Sequence, residues 1–213
     1  MSFIDVLRLI ACGVVGYLLG SLNTAIMLSK ATGLGDIREK GSGNAGLTNA
    51  LRVYGKKFAA ATLAGDLLKG VAAVLLAWFI APAEYRELAG VIAGTCCILG
   101  HSFPLYFGFK GGKGVLTGLA VMLMITPIPA LFAFAVFIII LLIWGYVSLG
   151  SIIAAATLPI FVFFRNYYSW QDGGLTPAFW MALALAVVII IRHHSNIGRL
   201  LRGEENKLLH KKK

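Results

Sequence analysis

Charged residues are scarce in this chain, and acidic residues are the scarcest of them. Only 13% of its 213 residues are charged, with 9 Asp or Glu against 19 Lys or Arg, while 59% are hydrophobic. This composition lies outside the range of soluble domains and is typical of membrane proteins. Because no long polar stretch separates the apolar segments, we predict one integral membrane domain over residues 1–213.

Cysteine is also rare, and its placement argues against cysteine chemistry. Cys12, Cys96 and Cys97 lie in apolar segments, and the sequence has no CxxC or Cys/His metal spacing. Disulfide, metal and cofactor roles are therefore not expected. The net charge of +10 would suggest nucleic acid binding in a soluble chain. In a membrane protein it instead indicates cytoplasmic loops, where basic residues concentrate, so we expect no nucleic acid partner.

Apolar segments that could cross a membrane recur along the whole chain. A hydrocarbon core about 30 Å thick requires roughly 20 apolar residues in a helix. We predict an all-α, multi-pass membrane helix bundle with seven spans, at 4–29, 58–81, 86–107, 114–126, 129–146, 149–165 and 177–193. Pro127 and Pro129 indicate either a short external turn or a break inside one long helix, so five spans stay open.

The basic residues predict how the spans are oriented. With the N-terminus outside, most of the 19 Lys and Arg residues fall in inner loops or at the C-terminal end. This bias favours an outside N-terminus and a cytoplasmic C-terminus. Three polar, glycine-rich segments are then expected on the cytoplasmic face, and we call them the first, second and third segments.

The first segment, residues 35–57, reads GDIREKGSGNAGLTNALRVYGKK. It is longer and more polar than a connection between two spans requires. It combines glycines that admit a close ligand, neutral hydrogen-bonding side chains and an arginine: Gly41, Gly43, Gly46, Ser42, Asn44, Thr48, Asn49 and Arg52. These groups are suited to binding an anion, whereas a loop that only fixes topology would not need the amides and hydroxyls.

The second segment, residues 100–114, reads GHSFPLYFGFKGGKG and precedes an apolar run. We predict that it leads into the amino end of a helix, where unpaired N–H groups and the helix dipole favour phosphate. It is not a Walker A loop, because three residues separate Gly108 from Gly112 and Gly114 replaces the magnesium-binding Ser or Thr. Nucleotide hydrolysis is therefore not expected. His101 is either a packing histidine or a site residue.

The third segment, residues 192–207, reads RHHSNIGRLLRGEENK and follows the last predicted span. His193 could act as a general base, while Asn196 and Arg199 could position or neutralise an anionic substrate. The alternative is a juxtamembrane basic cluster attracted to anionic lipid.

Two opposite charges lie inside the second predicted span. Asp66 and Lys69 are three residues apart and therefore share a helical face. A single charge near the bilayer centre costs about 2.5–3.5 kcal/mol on insertion scales, which favours a mutual pair facing the bundle interior. Structural pairing and support of a site both stay open.

The three segments, with GDLLKG around Asp66 and Lys69, closely resemble the bacterial membrane-embedded glycerol-3-phosphate acyltransferases that use acyl phosphate. The resemblance covers nearly the whole chain. It implies transfer of a fatty acyl group from acyl phosphate to the 1-hydroxyl of glycerol 3-phosphate, giving lysophosphatidate and phosphate for phospholipid synthesis. It also implies an active site on the cytoplasmic side of the bacterial inner membrane, in contact with membrane lipids.

The residue patterns and the resemblance together give expected roles to individual residues. Those expected to be catalytic are Ser42, Arg52, His193 and Asn196. Those expected to bind substrate phosphate are Gly41, Gly43, Asn44, Gly111, Gly112, Lys113 and Gly114. Those expected to support the site are Asn49, Asp66, Lys69, His101, Arg199 and Glu205.

An acyl phosphate is already an activated mixed anhydride, so the protein need not supply a nucleophile, a metal or a cofactor. Positioning and charge stabilisation suffice, and we expect direct transfer without an acyl-enzyme. None of the 4 histidines is followed by Asp at the His-x-x-x-x-Asp spacing of the other well-known class of glycerolipid acyltransferases. Either His193 or a substrate phosphate oxygen accepts the hydroxyl proton.

A transporter of phosphate esters is the alternative function. It is disfavoured because the sequence has no internal repeat with matching broken helices.

Overall fold

A computed structural model describes residues 1–169 and 175–209, and all regular structure within these ranges is helical. The α-helices of the described residues are α1 (Phe3–Ser21), α2 (Thr24–Ala31), α3 (Leu47–Tyr54), α4 (Lys56–Ile80), α5 (Arg86–Ser102), α6 (Val115–Ile125), α7 (Pro127–Trp144), α8 (Val147–Tyr168), α9 (Pro177–Arg192) and α10 (His194–Leu201). Short 3-10 turns lie at Ile37–Glu39, Ala83–Tyr85 and Leu105–Phe107. The predicted all-α fold is confirmed.

Among the described residues, 5 helical stretches are long and apolar enough to cross a membrane. They are Phe3–Ser21, Lys56–Ile80, Ala83–Phe107, Pro127–Trp144 and Val147–Tyr168. The pair α9 and α10, bent by 58°, would bring the number to 6. Helix α6 has only 11 residues, or about 16 Å at about 1.5 Å per residue. The protein is therefore a multi-pass membrane protein, but seven spans are not confirmed.

The first predicted span, 4–29, is two helices rather than one. Helix α1 ends at Ser21 and α2 begins at Thr24, because the Asn23 side chain accepts a hydrogen bond from the Ile26 N–H at 3.2 Å and caps α2. The carbonyl of Leu22, freed by the break, accepts a hydrogen bond from Lys69 Nζ at 3.2 Å. Hydropathy alone did not reveal the break, since the residues on both sides of it are apolar.

The chain also breaks before the proline pair. Helix α6 ends at Ile125 and α7 begins at Pro127, which occupies a first-turn position where its missing N–H costs nothing. The external turn and the break inside one long helix both stay predictions for this region.

The chain falls into two compact units, Met1–Ile125 and Thr126–Lys213, which are described separately. In the second unit α8 packs against both α7 and α9. Gly150 lets α8 approach Phe137 of α7, and Gly145 ends α7 in the left-handed conformation, with φ of 78°. The predicted single domain over residues 1–213 stays a prediction.

In the first unit α1 packs along α5 through small residues. A Cβ added at Gly16 would overlap the Ala93 carbonyl, and one at Gly20 would overlap the Cys97 carbonyl. From the other side, a Cβ at Gly100 would overlap the Tyr17 carbonyl. Close backbone approach of this kind drives helix association in lipid, where the hydrophobic effect between helices is absent.

We expect Gly16→Ala to destabilise the first unit, because its added methyl group meets the backbone of α5. Overpacking of this kind costs roughly 1–3 kcal/mol. The matched control is Gly13→Ala, whose Cβ meets only side-chain atoms of Ile92 and Cys96, at 3.3 and 3.4 Å. Thermal unfolding in detergent should show a larger loss for Gly16→Ala. Equal melting temperatures for the two variants would contradict the packing described here.

Candidate active site

The first segment folds around the side chain of Asn49, which is 1% exposed. The Asn49 Oδ1 atom accepts a hydrogen bond from the Ser42 N–H at 2.9 Å. Its Nδ2 atom donates to the carbonyls of Ile37 at 3.3 Å and Lys40 at 2.9 Å. Asn49 thus shapes the turn that carries Ser42, and its role in supporting a site stays a prediction.

Two glycines of this turn have backbone conformations that exclude most other residues. Gly41 and Gly43 have φ of 61° and 71°, and a Cβ at Gly41 would overlap Asn49 Oδ1. The turn presents Ser42 at the surface of the first unit, beside partly buried Asn44. Arg52 is also exposed, in the last turn of α3. The structure therefore leaves the Ser42 and Arg52 side chains accessible to a ligand, while their catalytic roles stay predictions.

The second segment leads into α6, as predicted, but two of its glycines serve a purpose that the sequence did not indicate. The Gly111 N–H donates to the Ser102 carbonyl at 3.2 Å, and the Gly112 N–H donates to the His101 carbonyl at 3.1 Å. A Cβ at either glycine would overlap atoms of His101. The amides of Gly111 and Gly112 thus bond the end of α5, and their missing side chains permit that close approach.

The other members of the second segment lie at the start of α6. Gly114, with φ of 78°, immediately precedes the helix, and Lys113 is partly buried beside it. The N–H groups in the first turn of a helix have no partner within the helix and favour anions, so this end of α6 suits phosphate. Phosphate binding by Gly111, Gly112, Lys113 and Gly114 stays a prediction.

The first and second segments meet within the first unit. Arg38 Nη1 donates to the carbonyls of Phe107 at 2.7 Å and Lys110 at 2.9 Å. The Ala45 carbonyl lies so close to Gly112 that a Cβ there would be 2.7 Å from it. The structure thus brings together the two segments that the sequence predicted to bind anions.

Arg38 and Asp36 were missed as functional candidates, because the sequence suggested only a topology role for basic residues at this position. The Arg38 Nε and Nη2 atoms donate to Asp36 Oδ1 and Oδ2 at 3.0 and 2.7 Å. Hydrogen bonds from Arg38 lower the pKa of the Asp36 carboxyl to about 2. The signal available was the Asp-x-Arg spacing, which suits an acidic side chain capping a turn while pairing with the arginine two residues later.

A buried ionic cluster lies beneath the second segment. Lys69 Nζ is 2.8 Å from Asp66 Oδ1 and 2.8 Å from His101 Nδ1. Because an ammonium can only donate, His101 Nδ1 accepts this hydrogen bond, which assigns the proton of the neutral ring to Nε2. That Nε2 faces Gly112. The predicted internal pair is therefore observed, next to the second segment, while its support of the site stays a prediction.

The third segment, in the second unit, is organised by Glu205. Its carboxylate accepts hydrogen bonds from Asn196 Nδ2 at 2.7 Å, Arg199 Nε at 2.6 Å and Ser148 Oγ at 2.9 Å. Burial alone would raise the pKa of Glu205, but these hydrogen bonds outweigh it and lower the pKa. Glu205 therefore holds Asn196 and Arg199 in place. Ser148 was missed, since it lies outside every motif and nothing in the sequence marks it.

His193 lies at the bend between α9 and α10 and is 3% exposed. Its Nδ1 atom is 2.8 Å from the Ile189 carbonyl, which can only accept a hydrogen bond. We therefore assign the proton of the neutral ring to Nδ1, which leaves a lone pair on Nε2. A histidine in this tautomer can act as a general base through Nε2.

The fold is a membrane helix bundle, and its candidate site consists of polar side chains in structured loops together with a buried ionic cluster. Fold and site together define the class of protein. A family model described as "Glycerol-3-phosphate acyltransferase" matches residues 10–203. The chain belongs to this family.

Individual relatives agree with the family model. The chain is 46% identical over 192 residues to a glycerol-3-phosphate acyltransferase of Trichlorobacter lovleyi, covering 90% of this chain and 93% of the relative. It is 42% identical over 210 residues to one of Clostridioides difficile, covering 98% and 99%. Crystal structures of PlsY, an integral membrane glycerol 3-phosphate acyltransferase, in its glycerol 3-phosphate and lysophosphatidic acid forms give TM-scores of 0.83 and 0.80. Their identities are 37% and 36%, and each match covers 93% of this chain and 94% of PlsY.

These comparisons confirm the predicted family and the predicted enzyme class. The protein is an integral membrane acyltransferase of phospholipid synthesis. The transporter alternative receives no support from them.

We expect Glu205→Gln to loosen the third segment, because Arg199 loses its ionic partner while Asn196 and Ser148 keep only a neutral acceptor. Hydrogen bonds to charged groups contribute about 1.5–3 kcal/mol each when buried. Since the pKa of Glu205 is lowered, its contribution is present at neutral pH and is lost as the pH falls through that lowered pKa. Hydrogen exchange of α10 amides measures the loosening.

Glu204→Gln is the matched control, because the Glu204–Arg202 pair is exposed on both sides and such pairs contribute little. It should leave α10 exchange near that of the unmodified protein. Equal exchange in the two variants at neutral pH would show that Glu205 does not hold the segment.

Proposed function

We propose that this chain transfers a fatty acyl group from acyl phosphate to the 1-hydroxyl of glycerol 3-phosphate, forming lysophosphatidate and inorganic phosphate. The observation that carries the proposal is the contact between the first and second segments within the first unit, through Arg38 and through Ala45 beside Gly112. Two segments suited to phosphate thereby adjoin each other, and both proposed substrates carry phosphate. Glycerol 3-phosphate and lysophosphatidic acid, named for the PlsY structures, are an acceptor and a product of the same reaction.

The reaction needs no covalent attachment to the protein. The 1-hydroxyl oxygen attacks the acyl carbon, a new C–O ester bond forms, and the bond from that carbon to the phosphate oxygen breaks. The leaving phosphate takes the electron pair. The hydroxyl proton passes either to His193 Nε2, since the proton of the neutral ring is assigned to Nδ1 beside the Ile189 carbonyl, or to a phosphate oxygen.

We assign the remaining roles by charge and accessibility. Ser42, Asn44 and Arg52 contact substrate from the first segment, with Gly41 and Gly43 giving the turn its shape. Lys113 and the amino end of α6 neutralise phosphate charge. Lys69 and Asp66 keep His101 fixed beneath Gly112.

We further propose a cytoplasmic active site in the bacterial inner membrane, with the N-terminus outside. Five and seven crossings both place the termini on opposite sides, as this orientation requires, whereas the six crossings that the bent pair α9 and α10 would give place them on the same side. Seven crossings require α6, of 11 residues, to complete its passage with the polar segment before it. Labelling a cysteine introduced at Lys57 with an impermeant reagent in sealed vesicles of known orientation tests the inner position of the first segment.

The activity is tested by incubating the purified protein in lipid with acyl phosphate and glycerol 3-phosphate. We expect lysophosphatidate and phosphate in equal amounts. Hydrolysis of acyl phosphate without acylation, or passage of labelled glycerol 3-phosphate into vesicles without acylation, would refute the proposal. When glycerol 3-phosphate is omitted, direct transfer predicts no initial burst of phosphate. An acyl-enzyme would release a burst of one phosphate per enzyme molecule.

We expect Lys113→Ala to lower kcat/KM by about tenfold to a few hundredfold, since a charge-assisted contact contributes roughly 1.5–3 kcal/mol. Lys110→Ala is the matched control, because the exposed Lys110 side chain is removed while its carbonyl still accepts from Arg38. Steady-state kinetics of both folded variants give the two values of kcat/KM to be compared. If Lys113→Ala keeps the unmodified kcat/KM, Lys113 does not bind phosphate.

A further inference from the structure

We propose that Arg38 is a positioning residue, which holds the second segment in the shape that binds substrate phosphate. This inference rests on the proposed function and deepens it, because it names what keeps the phosphate-binding segment ordered. Arg38 itself is not assigned a contact with substrate.

The Arg38 guanidinium connects the two segments with four of its five N–H donors. Nε and Nη2 face the two oxygens of Asp36 within the first segment, at 3.0 and 2.7 Å. Nη1 donates two hydrogen bonds to the second segment, one to the Phe107 carbonyl and one to the Lys110 carbonyl. Asp36 also accepts from the Arg38 N–H at 3.0 Å, so the pair begins the 3-10 turn Ile37–Glu39 and cannot rotate freely. The planar fork of the guanidinium is therefore fixed before it reaches the second segment.

The two carbonyls that Arg38 binds flank a strained turn. Gly108 and Phe109, between Phe107 and Lys110, are both left-handed, with φ of 66° and 58°. A bulky side chain such as Phe rarely adopts this conformation, which persists only where the surroundings impose it. The Phe109 N–H donates to the Pro104 carbonyl at 2.9 Å, and Arg38 fixes the carbonyls on either side. Arg38 therefore supplies the polar contacts that hold the strained turn from outside.

The constraint continues into the residues assigned to phosphate. Lys110, held by Arg38, is followed directly by Gly111 and Gly112, whose amides are bonded to the end of α5. The segment is thus fixed on one side by Arg38 and on the other by α5, and Lys113 comes next in the chain. Loss of the Arg38 contacts would release the first of these two constraints while leaving the second intact.

Lysine cannot replace arginine in this position. An ammonium donates from a single atom, so it cannot bind both oxygens of Asp36 and both carbonyls of the second segment at once. Arg38→Lys therefore keeps the charge and removes the geometry. A role of Arg38 in attracting anions by charge alone would survive the substitution, but a positioning role would not.

The test uses the full-length protein in lipid and compares Arg38→Lys with the unmodified enzyme. We expect KM for at least one phosphate-bearing substrate, and the inhibition constant for inorganic phosphate, to rise about tenfold or more, with kcat within about threefold. A role confined to folding would reduce the active fraction and therefore kcat, with KM unchanged. Lys40→Gln is the control, because Lys40 is exposed directly after the same turn, and its Nζ contacts the Leu34 carbonyl and the Tyr54 ring, which both lie outside the second segment.

Asp36→Asn provides a second variant, which weakens the pair and keeps the Arg38 guanidinium and its carbonyl contacts. We expect a smaller rise in the same constants and, in the double variant with Arg38→Lys, an effect less than the product of the two. Unchanged KM and phosphate inhibition in folded Arg38→Lys or, if that variant does not fold, in Asp36→Asn would overturn the inference. Absence of lysophosphatidate formation by the unmodified protein would instead refute the proposed function, so the two failures are distinguishable.

Discussion

The ion pair between Asp66 and Lys69 is the interaction on which the first unit depends. Both side chains are buried within α4, a helix long enough to cross a membrane, where neither charge could persist alone. Their pairing meets other needs as well. Lys69 binds the Leu22 carbonyl exposed by the break between α1 and α2, and Thr24 Oγ1 donates to Asp66 Oδ1 at 3.3 Å. Removing Lys69 would therefore leave both the Asp66 charge and the Leu22 carbonyl without this partner, whereas removing Asp66 would leave the buried Lys69 charge without its ionic partner.

The same pair fixes His101, and through it the floor of the second segment. His101 Nδ1 accepts from Lys69, and the His101 carbonyl accepts from Gly112. Within the first unit, the buried ion pair therefore fixes the histidine, and the histidine carbonyl in turn binds the glycine amide. In the second unit a carboxylate fulfils the comparable function, because Glu205 binds Asn196 and Arg199 of α10 and Ser148 of α8.

The features that the sequence predicted well are those expressed by composition and local spacing. Apolar runs located the membrane helices, and the Asp66–Lys69 spacing predicted an internal pair because three residues bring side chains to one face of a helix. The break at Leu22 and Asn23 was hidden, since the residues on both sides are apolar and Lys69, which binds the freed carbonyl, is distant in sequence. Arg38 and Ser148 were missed for the same reason, because their partners Lys110 and Glu205 lie far along the chain. The apolar run of α6 was also located, but its 11 residues leave the crossing predicted there unconfirmed.

The hydrogen bonds from Gly111 and Gly112 to the last turn of α5 have an electrostatic consequence. The carboxyl end of a helix carries partial negative charge on carbonyl oxygens that lack partners within the helix, and such oxygens repel anions. The carbonyls of His101 and Ser102 are two of these, and the glycine amides cover them. An anion at the start of α6 would thus face the positive end of one helix beside a neutralised negative end of another. Glycine at these positions therefore permits a negatively charged molecule to lie where two helix termini of opposite polarity adjoin.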